Sequence, residues 1–231
     1  MDKYAVKAVI VCGLAVLTCA AGWLGQLDET VAASVPVQLA PVVIVDAGHG
    51  GFDGGAVGVG GIVEKELNLA ISMRLADMLE VAGYNVMLTR DQDEALGDDS
   101  GGSHKKAADI KYRLGLLEST PDSVLVSIHQ NIFGGKALGA QVFYGPKNDD
   151  SAALAGIIQA DFKSMLQPEN HRETKQATDD IYLLYHATRP AVMVECGFIS
   201  NAGEAEKLRT PEYQNKISFV ITAALAEYLA A

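Results

Sequence analysis

Cysteine is scarce in this 231-residue chain, and the placing of the three matters more than their number. Cys12 and Cys19 lie in an apolar N-terminal stretch, which leaves Cys196 alone in the body. A single thiol builds neither a disulfide framework nor a cysteine-based zinc site. Basic residues are also short: 18 Lys and Arg stand against 29 Asp and Glu, a net charge of −11. Without a basic cluster to neutralise phosphates, nucleic acid is set aside as a partner. There is no internal repeat and no low-complexity tract. At 49% apolar and 20% charged residues the composition is globular, which excludes wholesale disorder and collagen-like structure. The glycine-rich stretch after residue 47 lacks the Gly-Lys-Ser/Thr ending of a phosphate loop. It does not match Gly-x-Gly-x-x-Gly either, so nucleotide binding is rejected.

What is present begins with Lys3 and Lys7, followed by an apolar run from Ala8 to Leu24. A basic start before such a run reads as a secretory signal or a membrane anchor over residues 1–24. Val31-Ala32-Ala33 offers the small residues that a signal peptidase needs. Asp28 and Glu29 beyond the run suit a body that faces outward, so an exported location is expected. Residues 25–40 lack periodicity, contain Pro36 and read as a linker. Residues 41–231 then form one domain with a sizeable core.

Within that body, Pro41 to Val45 is a β-branched run that reads as a buried strand feeding a glycine-rich loop. Glu64 to Ala82 has helical spacing and stops at Gly83. Tyr84–Thr89 is a second strand, and Asp91–Ala107 reads as a long exposed loop. A helix is expected over 107–118, strands over 123–128 and 140–144, and a helix over 152–166. Ile181–Leu184 reads as a short strand and Ala191–Val194 as a further buried one. The last helix opens at Thr210-Pro211, a cap residue followed by proline at the first helical position. Strands alternating with helices predict an α/β domain of hydrolase-like or phosphorylase-like build. Its mostly parallel, mixed sheet of about six strands would carry helices on both faces.

Three apolar strands end in a chemically capable residue: the first runs into Asp46-Ala47-Gly48-His49, the third into His129 and the last into Glu195. In open α/β sheets, ligands gather beyond the carboxyl ends of the strands. Two histidines and a glutamate at that edge suit a metal or acid–base cluster. Glu64 opens the helix after the glycine loop, where the helix dipole favours a carboxylate. The loop also returns it toward the edge that carries His49. Glu195 follows four apolar residues, and a buried carboxylate needs a metal, a partner or a catalytic task. His104, His171 and His186 lie in polar or loop surroundings and are not read as ligands. Cys196 is read as a small buried residue rather than a nucleophile.

Taken together these segments resemble the zinc-dependent N-acetylmuramoyl-L-alanine amidases. Asp46-Ala47-Gly48-His49-Gly50-Gly51 is similar to the family's opening motif, and Glu64-Lys65-Glu66-Leu67-Asn68-Leu69-Ala70 to its second. Thr89-Arg90-Asp91 resembles the end of its second strand, and Ser127-Ile128-His129-Gln130-Asn131 its third motif. Pro190 to Asn201 resembles the last. The segments occur in family order across about residues 41–229. The short build, the N-terminal segment and Tyr182-Leu183-Leu184 are most similar to the sporulation members, which trim peptides from spore-cortex peptidoglycan on the way to muramic δ-lactam. Two departures stand out. Ala47 replaces a commoner proline, and Leu117-Glu118-Ser119 stands where many relatives have Ala-Asn.

The resemblance implies one Zn2+ held by His49, Glu64 and His129, with Glu195 as general base and then general acid. It gives weaker substrate or supporting roles to Asn68 and Asn131. Gly50, Gly51, Gly54 and Gly55 are expected to leave space beside the metal for a bulky glycan. The implied substrate is a peptidoglycan glycan strand with its stem peptide. The implied setting is the outer face of a membrane, the forespore intermembrane space or the cell wall, and a lipoprotein partner is among the expectations. Two other readings use the same residues: another zinc amidohydrolase or peptidase on this fold, and a non-catalytic cell-wall-binding protein. The domain division is testable by truncation. A chain starting at Pro36 is expected to be soluble and to melt cooperatively; aggregation would make the N-terminal segment part of the core.

Overall fold

The computed structural model describes residues 41–97 and 104–230. The expected signal or anchor over 1–24 and the linker over 25–40 lie outside the described residues. Six strands form one sheet: β1 Val42–Ala47, β2 Asn85–Leu88, β3 Ser123–Asn131, β4 Gln141–Tyr144, β5 Lys175–Gln176 and β6 Ala191–Phe198. Their spatial order is β2-β1-β3-β6-β4-β5. All neighbours are parallel except β4 and β6, which are antiparallel. The expected mixed, mostly parallel six-stranded sheet is therefore present.

The helices are α1 Glu64–Val81, α2 Lys105–Ser119, α3 Asp149–Asp161, α4 Tyr182–His186, α5 Ala202–Leu208 and α6 Pro211–Leu229. One sheet face packs on α1, α3 and α6 through Val43, Val45, Val126, Val194, Ile71, Leu154 and Ile221. The other face packs on α2 and α4 through Ile44, Leu125, Ala191, Leu117 and Leu184. Alternate residues of one strand thus enter two cores, which is why Val42–Val45 of β1 and Val124–Val126 of β3 are unbroken apolar runs. Among the described residues no helix is long and apolar enough to cross a membrane.

Helix ends follow the local chemistry. Gly83 has φ 90° and its N–H donates to the Glu80 carbonyl, closing α1. Thr210 accepts from the Tyr213 N–H with Pro211 opening α6. The start of α1 has no side-chain cap. Its first N–H groups donate back to the glycine loop instead, Glu64 to the Ala56 carbonyl at 3.0 Å and Lys65 to that of Gly54 at 3.1 Å. That return fixes where Glu64 stands.

The structure corrects three local readings. Residues 182–186 form a helical turn, not a strand. Leu183 and Leu184 are both buried in the same core, and a strand would send neighbouring side chains to opposite faces. The loop after residue 91 ends at Lys105, where α2 begins. The pattern over 152–166 continues past α3 only as a π-helical turn, Phe162–Leu166. The two-residue strand β5 and the short helix α5 carried no periodicity long enough to be read.

Ile71 is fully buried where α1 meets the sheet and α6. Ile71→Ala is expected to lower unfolding free energy by about 2–5 kcal/mol, measured as a fall in the denaturant midpoint at unchanged slope.

Candidate functional site

The carboxyl ends of β1 and β3 and the first turn of α1 converge on one point. There His49, Glu64 and His129 bring one ligand atom each within 4.8 Å of one another. Glu64 Oε1 lies 3.0 Å from His129 Nδ1 and 3.2 Å from His49 Nε2. The Gln130 N–H donates to the same oxygen at 3.2 Å, and the Ala56 N–H donates to Oε2 at 2.8 Å. Burial opposes ionisation of this carboxyl, but the two imidazoles and their charge outweigh it and hold its pKa far below the usual range. Burial also pulls the His49 pKa down, and hydrogen bonds to Glu64 and then Asp53 reverse the direction and leave it raised. Two imidazoles and one carboxylate are a donor set suited to a catalytic metal, with a further position open to water. Among the described residues no other group of three such side chains stands close enough to hold an ion.

Glu195 lies directly across from His129 in the β3–β6 register. Its Oε2 is shielded from solvent and has no hydrogen-bond partner. Burial raises its pKa to about 7, with His129 pulling in the opposite direction. A carboxyl of that kind changes protonation near neutral pH and can accept and return a proton. A cleft opens beside the cluster on the α2 side, lined by Lys106, Ile110, Tyr182 and Met193 together with both histidines.

His49 has φ 61°, a left-handed backbone rare for a residue with a side chain. Two buried guanidiniums hold it there. Arg90 Nε donates to the carbonyls of Ala47 at 2.9 Å and His49 at 2.8 Å, and its Nη2 to that of Gly48 at 3.0 Å. Arg113 Nη1 donates to the Ala47 carbonyl at 2.9 Å and Nη2 to that of His49 at 2.8 Å. Arg113 is charge-paired with buried Asp46 and with Asp109.

Of the residues singled out from sequence, His49, Glu64, His129 and Glu195 meet at this edge. Asn68 also enters the network: its Nδ2 donates to the Gly48 carbonyl at 3.1 Å, and its Oδ1 accepts from Gln130 Nε2 at 3.2 Å. Asn131 contributes through its backbone, its carbonyl accepting from the Ile199 N–H at 3.0 Å. Cys196 is fully buried and burial pushes its thiol pKa up, which suits packing and not attack.

The glycines do not make room for substrate as expected. A Cβ at Gly50 would stand 2.2 Å from the Glu94 carbonyl oxygen, and one at Gly51 would stand 2.6 Å from the Ala95 nitrogen. A Cβ at Gly55 would meet Glu64 Oε2 at 2.6 Å. They let the loop lie against its neighbours, and only Gly54 is less crowded, at 3.4 Å from Val63. Sequence reasoning missed Asp53, Arg113 and Asp109. Only Asp109 and Arg113 carried a signal, as an oppositely charged pair four residues apart on a helix.

The family profile described as N-acetylmuramoyl-L-alanine amidase matches residues 43–227. The chain is 36% identical over 190 residues to the germination-specific N-acetylmuramoyl-L-alanine amidase of Bacillus subtilis (strain 168), covering 81% of this chain and 79% of that one. Its fold is similar to the CwlD amidase of Clostridioides difficile, solved in complex with the GerS lipoprotein. The TM-score is 0.78 at 37% identity, covering 82% of this chain and 98% of that one. It is also similar to the catalytic domain of the amidase CwlV from Bacillus (Paenibacillus) polymyxa var. colistinus, with TM-score 0.69 at 30% identity over 82% of this chain and 98% of that one.

Gly48 tests the cradle. A Cβ there would stand 2.2 Å from His129 Nε2 and displace the imidazole. Gly48→Ala is expected to weaken metal binding by about tenfold or more with an unchanged far-ultraviolet dichroism spectrum, measured by chelator competition.

Proposed function

The chain belongs to the N-acetylmuramoyl-L-alanine amidase family, and from that premise we propose that it is a zinc enzyme of the spore cortex. The bond cut is the amide between the lactyl carboxyl of N-acetylmuramic acid and L-alanine, a step toward muramic δ-lactam. The observation that carries the reading is one cluster: His49, Glu64 and His129 together, with the shielded, unpartnered Oε2 of Glu195 on the neighbouring strand. His49, Glu64 and His129 would hold a single Zn2+. Bound there, zinc supplies a Lewis acid that eases proton loss from water and polarises the scissile carbonyl.

The proton work belongs to Glu195. Its carboxylate accepts the proton from the attacking water and then returns it to the leaving nitrogen, because an amide nitrogen departs poorly unless protonated. Asn68 and Gln130 keep the Glu64 side of the cluster in register. Arg90 and Arg113 fix the backbone that carries His49.

The cortex assignment draws on likeness to the germination-specific amidase of B. subtilis. The site of action is then the outer face of a membrane, the forespore intermembrane space or the wall itself, reached through residues 1–24 as signal or anchor. Residues 25–40 serve as the linker and 41–231 as the catalytic domain. The C. difficile CwlD amidase was solved with a lipoprotein, and a lipoprotein partner is proposed for this chain on that likeness.

Glu195→Gln separates three roles for that side chain. A ligand role predicts lost zinc, and a structural ion pair predicts a loss of about 3–5 kcal/mol in stability. The proton-transfer role predicts retained zinc and turnover lower by about 100-fold or more, read as muropeptide release by mass spectrometry. The metal-free protein adds a pH signature. Because the folded carboxyl binds its proton more tightly than the unfolded one, wild-type stability falls as pH rises from the ordinary carboxyl range to about 7. Glu195→Gln is expected to lack that fall, so its stability relative to wild type should grow over the same window in denaturant titrations.

A further inference from the structure

Outside the cluster, a single carboxylate reaches one of its imidazoles from behind. Asp53 Oδ2 lies 2.9 Å from His49 Nδ1, the ring nitrogen opposite the one that faces Glu64. The position of Asp53 is fixed from several directions. Its backbone exchanges two hydrogen bonds with Gly50, at 2.9 and 3.1 Å. Its Oδ1 accepts from the Gly55 N–H at 3.2 Å. Lys106 Nζ on α2 stands 3.1 Å from Oδ2, but that lysine side chain is 61% exposed.

An ionised carboxylate only accepts hydrogen bonds, so the proton between Asp53 and His49 sits on Nδ1. Nε2, which faces the Glu64 carboxylate at 3.2 Å, is then the ring nitrogen that gives up its proton to take a metal, while Nδ1 keeps its own. Without Asp53, water would face Nδ1 and either tautomer would be populated. The carboxylate also raises the donor strength of the far nitrogen, as outer carboxylates do for metal-bound histidines.

We infer that Asp53 is a positioning residue for His49, holding the imidazole in the tautomer and orientation that offers Nε2 to a metal. The inference rests on the metal reading given under Proposed function. Asp53 acts through His49 and takes no part in proton transfer. Lys106 steadies the Asp53 carboxylate from an exposed position and adds little to the effect.

The test compares full-length wild type with Asp53→Asn, Asp53→Glu and Lys106→Met. Zinc affinity is measured by chelator competition, and the ligand field by the visible absorption of the cobalt-loaded protein. Asp53→Asn keeps the acceptor for Gly55 and is expected to melt like wild type when metal-free. Its zinc affinity is expected to fall by about 10–100-fold, with a changed cobalt spectrum. Asp53→Glu should recover part of the loss, and Lys106→Met should stay near wild type. Wild-type affinity and an unchanged cobalt spectrum in Asp53→Asn would overturn the inference while leaving the ligand set intact. Equal losses in Asp53→Asn and Lys106→Met would also overturn it, because the effect would then lie in the loop's charge and not in the imidazole bond. A wild-type protein that takes up no zinc would overturn the metal reading and this inference together.

Discussion

The buried pairing of Asp46 with Arg113 is the constraint on which the site depends. Asp46, the last residue but one of β1, is almost without exposure, and it accepts from Arg113, from Ser127 Oγ at 2.5 Å and from Thr89 Oγ1 at 2.8 Å. Burial disfavours its charge, but the guanidinium and the two hydroxyls keep its pKa below the usual carboxylate range. A buried ion pair adds little net stability over apolar packing, while breaking one costs about 3–5 kcal/mol. Its value here is geometric. With one edge of Arg113 occupied by Asp46 and Asp109, the remaining donors meet the Ala47 and His49 carbonyls. Arg90 meets the same turn from just beyond β2. A left-handed conformation at His49 costs on the order of 1–3 kcal/mol, and these charge-assisted bonds hold it there. The turn delivers the imidazole away from the strand axis and toward Glu64.

The same edge keeps two carboxylates in opposite states. Glu64 is surrounded by donors: two imidazoles and the N–H groups of Ala56 and Gln130. Glu195 is half-buried on the adjacent strand, its Oε2 shielded and without a donor. One is therefore held ionised and the other is poised near neutral pH. Environments that push two acids apart can divide their work, and the proposed roles follow that division: Glu64 to hold the metal, Glu195 to carry the proton. The sheet order makes this division available. β3 lies between β1 and β6, so His129 stands between the turn bearing His49 and the strand bearing Glu195.

Much of this was legible in the chain because parallel strands buried on both faces leave long apolar runs. Those runs end abruptly at Asp46, His129 and Glu195, and the loop return to Glu64 completed the cluster. The turn of helix at 182–186 was hidden because Tyr-Leu-Leu-Tyr has no period long enough to separate strand from helix. What decides it is the joint burial of Leu183 and Leu184, a tertiary fact. Asp53 and Arg90 were obscured for a different reason. Their partners are backbone carbonyls and the far side of an imidazole, and neither leaves a residue pattern. The glycines misled because composition shows only that a side chain is absent. It does not show whether the space goes to substrate or to a neighbouring strand of backbone.

The glycine loop and the first turn of α1 are best understood as one device. A helix start needs acceptors for its first N–H groups. Here Gly54 and Ala56 provide carbonyls to Lys65 and Glu64, and the Ala56 N–H is returned to the Glu64 carboxylate at 2.8 Å. Lys65 then ties the loop again, its Nζ donating to the Gly51 carbonyl at 2.8 Å and pairing with Asp93 at 2.7 Å. Asp93 in turn accepts from the Gly51 N–H at 2.8 Å. Capping the helix, closing the loop and aiming Glu64 are thus the same set of hydrogen bonds. The loop cannot shift without uncapping α1, and α1 cannot shift without carrying the Glu64 carboxylate away from both imidazoles. That coupling explains how a segment with eight glycines between residues 48 and 61 places a side chain to within a hydrogen-bond length. Its conformational freedom in the unfolded chain is lost to a closed circuit of bonds, and the circuit includes the site.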